Sequence, residues 1–117
     1  MKKWMSLLLS VLLLVGLLPL GVAADSYTVT VDGLEYWIDE DGAYLESVVD
    51  SEYYFGDLVL PEYVDGMPLI SISSYVFTDN SNLYTVTIPS TVEYIGTGAF
   101  AGCYNLTDIY VNAGNYN

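Results

Sequence analysis

The stretch TIPSTVEYIGTGAFAGCYNL, residues 87–106, decides how this 117-residue chain folds. A shift of 23 residues aligns it, and the strand that follows it, with an earlier stretch of the same apolar pattern. The aligned pairs are Ile72 with Ile95, Phe77 with Phe100, Asn82 with Asn105, Leu83 with Leu106, Val86 with Ile109 and Ile88 with Val111. A period of about 20 to 29 residues with apolar positions at fixed phase predicts a solenoid with one short strand per repeat.

An earlier strand belongs to the same series. LVLPEYV, residues 58–64, parallels VTIPSTV, residues 86–92, at an offset of 28. The five extra residues, 65–69, begin with Asp65-Gly66, which is a turn dipeptide. We therefore predict that the two strands stack in successive repeats and that the insertion forms a turn between them.

The apolar positions of the opening stretch predict a packed layer. Val86 and Ile88 are expected to point inward, and Pro89 to end the strand because proline cannot donate to a sheet ladder. Ile95 and Phe100 are expected to fill the layer behind the strand, with Phe100 buried.

These residues resemble a known family. IPSTVEYIGTGAFAGCYNLTDIYV, residues 88–111, is similar to the BspA-type leucine-rich repeat, whose pattern is Ile-Pro, a valine, Ile-Gly, Ala-Phe, Cys and then Asn-Leu. LVLPEYVDGMPLISISSYVF, residues 58–77, looks like the longer opening repeat of such proteins. This copy departs from the pattern at three positions, where glycine, alanine and cysteine are usual: Ser73, Val76 and Asn80. The resemblance implies an exported bacterial protein whose repeats form a binding scaffold.

Residues 25–57 have a different pattern. YTVTV, LEYWID and AYLESVV are alternating runs that favour strands, separated by the hairpin signals Asp32-Gly33 and Glu40-Asp41-Gly42. They predict a three-stranded antiparallel meander that caps the first repeat. The predicted fold class is mainly β, a leucine-rich-repeat solenoid with an N-terminal antiparallel β-hairpin cap.

The predicted domains are a signal peptide at 1–24, the cap at 25–57 and the repeats at 58–117. The repeat region holds about two repeats plus the start of a third, as in a fragment of a longer array. Lys2 and Lys3 precede an uncharged run that ends in Val-Ala-Ala, which indicates a secretory signal peptide cleaved after Ala24. An uncleaved membrane anchor is the alternative, because the run is long enough to span a bilayer.

Charge restricts the partners of the mature chain. The sequence has 15 acidic residues and a net charge of −13, and its only basic residues are Lys2 and Lys3. Nucleic acid is excluded as a partner because phosphate binding needs cations. An anionic membrane surface is disfavoured for the same reason. The sequence predicts a secreted or cell-surface protein whose partners are neutral or cationic proteins or glycans, with weak Ca²⁺ binding as a further possibility.

Candidate chemical groups are few. Cys103 is the only cysteine, and without a basic neighbour it is interpreted as a small packed residue rather than as a reactive thiol. The acidic turn DEDG, residues 39–42, fails the EF-hand pattern because Trp37 and Val48 occupy ligand positions. Without His or Lys after residue 24, only a pair of carboxylates of the glycosidase type remains for catalysis. We therefore predict that the protein is not an enzyme, binds no cofactor and has no dedicated metal site.

The binding site is predicted on the strands. Residues that alternate with the inward set face outward and form two rows, Asp57, Thr85, Asp108 and Val59, Thr87, Tyr110. Twelve tyrosines supply amphipathic rings for stacking, although Tyr75 and Tyr94 fall among the layer positions and are expected to be structural.

Three functions fit this sequence. The first is adhesion or protein recognition, as the resemblance implies. The second is carbohydrate binding, as an accessory module of a polysaccharide-degrading protein. The third is a structural role in a cell-surface layer. A wall-anchoring tail in a full-length gene favours the first, and a hydrolase domain favours the second.

Overall fold

The structure is a computed structural model that describes residues 25–50, 52–53 and 55–113. The predicted signal peptide, residues 1–24, lies outside the described residues. The part described is mainly β and contains strands and turns but no helix, so none of it forms a helix that could span a membrane. Its nine strands are β1 (Tyr27–Val31), β2 (Leu34–Ile38), β3 (Ala43–Val48), β4 (Gly56–Val59), β5 (Tyr63–Val64), β6 (Met67–Ile72), β7 (Leu83–Ile88), β8 (Tyr94–Ile95) and β9 (Asp108–Val111).

The first three strands form an antiparallel meander, as the alternating runs predict. Asp32 and Gly33 connect β1 to β2, with φ of 51° and 80°. Positive φ at both central residues is what a type I′ hairpin turn requires, and Asp-Gly suits it. The next connection is held by Asp39, whose Oδ1 accepts hydrogen bonds from the backbone N–H groups of Asp41 at 2.8 Å and Gly42 at 3.2 Å. The acidic DEDG stretch is therefore a hairpin turn.

The meander continues into a six-stranded sheet. Its edge strand β3 pairs in parallel with β6, and β6 pairs in parallel with β8 and antiparallel with β5. The insertion thus forms a small hairpin, β5–β6, whose Asp65-Gly66 turn has φ of 50° and 82°. The Tyr27 hydroxyl donates a 2.6 Å hydrogen bond to Asp65 Oδ2 and ties β1 to this turn.

A second, three-stranded parallel sheet has the order β9–β7–β4. The register pairs Leu58 with Val86, and Val86 with Ile109, so the offsets of 28 and 23 residues correspond to stacked neighbours. Pro89 directly follows β7 and ends it, as predicted. The return segments also stack, since Tyr75, Phe77 and Asp79 donate backbone hydrogen bonds of 2.8–3.0 Å to carbonyls of residues 97, 99 and 101.

The core lies between the two sheets and the stacked return segments. Inward-facing side chains from both sheets are almost fully buried: Leu34, Tyr36, Ile38, Leu45, Leu69, Ile72, Leu83, Val86 and Ile88. From Leu34 to Ile38 and from Val86 to Ile88, the buried residues alternate with half-buried or exposed ones, as expected for sheets with one buried face. Apolar burial from both sheets therefore holds the described residues together.

Two core predictions for the last layer are wrong. Phe100 is only half-buried, and Ile95 is 44% exposed, whereas their partners Phe77 and Ile72 in the preceding layer are buried. Phe100 stacks on Phe77 with ring centroids 5.5 Å apart, so the repeat register holds. Its other side has no further layer among the described residues, and an inward position needs neighbours on both sides to be buried.

Tyr36 makes the stability depend on pH in the alkaline range. Burial raises the pKa of Tyr36 to about 12, and the negative charge of Asp32 acts in the same direction. In the unfolded chain the pKa is about 10, so the folded state binds this proton more tightly. The stabilisation is fully present below about pH 10 and is lost as pH rises toward 12. We expect a loss of about 2 kcal/mol over that range, measured by urea unfolding.

The Tyr36→Phe variant isolates this contribution, because the other tyrosines still titrate in it. Its free energy of unfolding should fall less steeply between pH 10 and 12 than that of the unaltered chain. Equal slopes for the two proteins would contradict the assignment.

Candidate binding surface

The structure places the six predicted binding residues side by side on the parallel sheet. Asp57 pairs with Thr85 and Thr85 with Asp108, while Val59 pairs with Thr87 and Thr87 with Tyr110. We call these two rows the parallel-sheet surface. The rows face outward because Val86, which lies between them on the central strand, and Ile88, which follows them, are buried. The parallel register thus places the residues of each row next to one another on neighbouring strands.

The first row is acidic. The Thr85 hydroxyl donates to Asp57 Oδ1 at 2.9 Å, and the Thr107 hydroxyl donates to Asp108 Oδ2 at 3.0 Å. Both carboxylates are exposed and lie two strand spacings apart, which is roughly 10 Å. No Lys, Arg or His follows Lys3 in the sequence, so no cation of the described residues neutralises them. This row presents acceptor oxygens and negative charge to a ligand.

The second row is apolar and aromatic at its ends. Val59 is 68% exposed and Tyr110 is 54% exposed, with Thr87 half-buried between them. A tyrosine ring offers an apolar face and a hydroxyl at one position. The two rows together combine hydrogen-bond acceptors with apolar area, which suits recognition of a peptide or a glycan.

Cys103 is a packed residue in the structure. Its Sγ lies 3.0 Å from the Phe77 carbonyl oxygen, to which the thiol donates, and the side chain is half-buried. Burial is the main cause that raises the pKa of the Cys103 thiol, and Asp79 adds to it. A raised pKa lowers the thiolate fraction, so this thiol is a poor nucleophile.

The described residues do not gather acidic or cysteine side chains into a metal-binding cluster of three or more. A concavity of about 230 Å³ lies at the end of β3 and is lined by Val48, Val76, Phe77, Thr78, Asp79 and Asn80. Its polar groups are already engaged in part, since Asn80 Oδ1 accepts the backbone N–H of Asn82 at 2.9 Å.

Sequence reasoning missed a further row of residues on the outer face of the six-stranded sheet. Each of its residues pairs with the next one on the neighbouring strand, in the order β1, β2, β3, β6 and β8. The row consists of Thr28, Trp37, Tyr44, Ser71 and Tyr94, and we call it the aromatic row. The expectation that Tyr75 and Tyr94 are structural was wrong, because each is 59% exposed. The 23-residue offset of Ser71 and Tyr94 was a signal that could have placed them on one face.

Comparison with known proteins identifies the family. Residues 52–117 match the family described as "BspA type Leucine rich repeat region (6 copies)". The match spans more than half of the chain and all of the parallel sheet. The chain belongs to the BspA-type leucine-rich repeat family. No curated protein matches it.

Solved structures of bacterial leucine-rich repeat proteins are similar. The T. pallidum leucine rich repeat protein TpLRR has 28% identity and a TM-score of 0.60, covering 72% of this chain and 39% of its own. A leucine-rich repeat protein from Bacteroides capillosus has 29% identity and a TM-score of 0.64, and the match covers 73% of this chain and 65% of that protein. A leucine rich cell surface protein from Faecalibacterium prausnitzii has 22% identity and a TM-score of 0.62, and the match covers 75% of this chain and 24% of that protein. At this identity the similarity shows the fold alone. The chain spans less than two thirds of each.

Proposed function

We propose that this protein is an exported bacterial binding scaffold for adhesion or protein recognition. Its repeats, residues 58–117, form a solenoid, and residues 25–57 form the antiparallel cap at its N-terminal end. Residues 1–24 act as a signal peptide cleaved after Ala24, which delivers the chain to the cell surface or the medium.

The parallel-sheet surface is the observation that carries this proposal. Its two rows are in register, and four of the six residues are exposed while Thr85 and Thr87 are half-buried. Stacked strands of repeat proteins commonly form an extended binding surface. Leucine-rich repeat families are typically non-catalytic scaffolds, which fits a binding role without a cofactor.

Charge sets the chemistry of the ligand. The exposed Asp57 and Asp108 attract a neutral or cationic partner and repel phosphate backbones and anionic lipid headgroups. A protein with basic groups fits this surface directly. A weakly bound Ca²⁺ ion at the two carboxylates would let the surface bind an acidic partner as well. A neutral glycan stacked on Tyr110 is the competing ligand class.

Replacing Thr87 and Tyr110 by alanine tests the surface. We expect the double variant to lose roughly tenfold or more in affinity for any ligand found in a panel of purified extracellular matrix proteins and neutral polysaccharides, because it removes the central aromatic contact. The measurement is surface plasmon resonance with the full-length chain immobilised.

The matched control carries Thr97→Ala and Tyr104→Ala, which delete the same atoms from exposed turn positions outside the strands. It should bind like the unaltered chain. Equal affinity of the Thr87/Tyr110 variant and the control would place binding elsewhere. If the chain binds only polysaccharides from the panel, its function is carbohydrate binding rather than protein recognition.

A further inference from the structure

The aromatic row forms a surface separate from the parallel sheet. It lies on the other sheet and faces outward, because the flanking residues Tyr36, Ile38 and Leu45 are buried. Trp37 and Tyr44 form a ring pair with centroids 5.2 Å apart and an interplanar angle of 40°. Trp37 remains 37% exposed and Tyr94 59% exposed. Large flat rings are thus available to a ligand on both sides of Ser71.

A slot opens in the middle of the row. Ser71 lies between Tyr44 and Tyr94 on adjacent paired strands, so the two tyrosines are two strand spacings apart, roughly 9.6 Å. The serine side chain is much shorter than either ring. The gap is therefore one strand wide, with aromatic side chains on two sides and a hydroxyl at its base.

Negative charge lies near the Tyr44 wall of this slot. The Tyr44 hydroxyl donates to Asp39 Oδ1 at 3.4 Å. Burial raises the pKa of Tyr44, and the negative charges of Asp39, Asp41 and Glu93 add to the rise, so three carboxylates act on this hydroxyl. Residues 25–117 hold no basic side chain that could neutralise them.

We propose that the aromatic row binds an arginine side chain of a basic peptide, with the guanidinium in the slot over Ser71 between Tyr44 and Tyr94. Glu93 and Asp41 supply the carboxylates that pair with the cation. Guanidinium groups stack on aromatic faces and fork onto carboxylates, so this surface offers both partners that arginine needs. A neutral sugar would stack on the same rings and donate hydroxyl hydrogen bonds to the carboxylates, but it would gain no charge pairing from them.

Hexaarginine, blocked at both ends, is the probe. We expect saturable binding to the full-length chain by isothermal titration calorimetry, and no binding of hexaglycine. A Trp4→Phe background leaves Trp37 as the only tryptophan. Its emission should change during the same titration, because Trp37 packs at 5.2 Å against Tyr44, which forms one wall of the slot.

Two aromatic variants test the position of the cation. Tyr94→Ser should weaken hexaarginine binding about two- to fivefold, the range for exposed cation–π contacts. Trp37→Thr should weaken it to a similar extent, because the Trp37 ring packs at 5.2 Å against Tyr44, which forms the other wall of the slot. Tyr94 lies on a two-residue strand and is exposed, so its replacement leaves the core intact even if Trp37→Thr does not fold. Trp37→Tyr should retain most of the affinity.

Two charge variants separate local pairing from bulk attraction. Glu93→Gln and Glu52→Gln have the same net charge, but Glu52 is an exposed residue beyond the opposite end of β3. We expect Glu93→Gln to weaken binding two- to fivefold and Glu52→Gln to leave it within experimental error.

Three results would overturn the proposal. Equal affinity of all variants would mean unspecific attraction to the acidic surface. Absence of hexaarginine binding would exclude the site directly. A change of Trp37 emission with cellohexaose but not with hexaarginine would make the row a glycan site. The Thr87/Tyr110 variant should bind hexaarginine normally, so failure of the parallel-sheet surface and failure of this one are distinguishable.

Discussion

Replacing Phe77 by alanine should lower the free energy of unfolding by about 3 to 5 kcal/mol, the range for a fully buried aromatic ring. Phe77 is 1% exposed and touches rings on both sides. It stacks on Phe100 at 5.5 Å and meets Phe55 edge-on at 5.8 Å, so truncation leaves a cavity between two layers. Domains of this size have little stability to lose, and we expect the variant to be largely unfolded at room temperature.

Phe100→Ala is the variant to compare with Phe77→Ala. The free energy of unfolding of both is measured in urea, with circular dichroism as the signal. Phe100 is packed on one side and half-buried, so its truncation should cost about half as much. Tyr104→Ala, at a position 86% exposed, should change the stability by less than about 0.5 kcal/mol. A larger loss at Phe100 than at Phe77 would contradict the order of the layers described here.

The repeat register could be predicted from the sequence because stacking forces equivalent positions into contact. The offsets aligned Val86 with Ile109 and Leu58 with Val86, and these residues are partners in the sheet. The same offsets placed the rows of the parallel-sheet surface, since strand residues alternate between two faces. The turns at Asp32 and Asp65 followed from Asp-Gly, which tolerates positive φ.

Beyond its antiparallel meander, the six-stranded sheet could not be predicted in this way. The parallel pairing of β3 with β6 joins two segments that share no repeat pattern, and its register shifts between Ala43 and Tyr44. Such a bulge displaces alternation by one residue, so the outward position of Tyr44 opposite Ser71 is not readable from spacing alone. The sequence could therefore relate Ser71 to Tyr94 through the 23-residue offset, but it could not add Tyr44 and Trp37 to the same row. The partial exposure of Phe100 was also unreadable, because it depends on how many layers follow it.

Gly96 is expected to be the backbone position least tolerant of a side chain. Its N–H donates to the Ile72 carbonyl oxygen at 2.7 Å, which holds the two layers close together. A Cβ at this position would overlap the backbone nitrogen and Cα of Ser74. Because backbone atoms cannot rotate away as a side chain can, Gly96→Ala must separate the layers. We expect a loss of about 3 kcal/mol, at the upper end of the usual range for overpacking.

Gly66→Ala is the matched control, because it makes the same substitution where space is free. Nothing lies within 4 Å of a Cβ at Gly66, but its φ of +82° strains an alanine. The left-handed conformation costs roughly 1 to 2 kcal/mol, so Gly66→Ala should destabilise less than Gly96→Ala in parallel urea titrations. Equal losses would show that the contact with Ser74 costs no more than the strained φ of an alanine at position 66. A smaller loss at Gly96 would mean that the two layers separate easily, and stacking at this point would then contribute little to the fold.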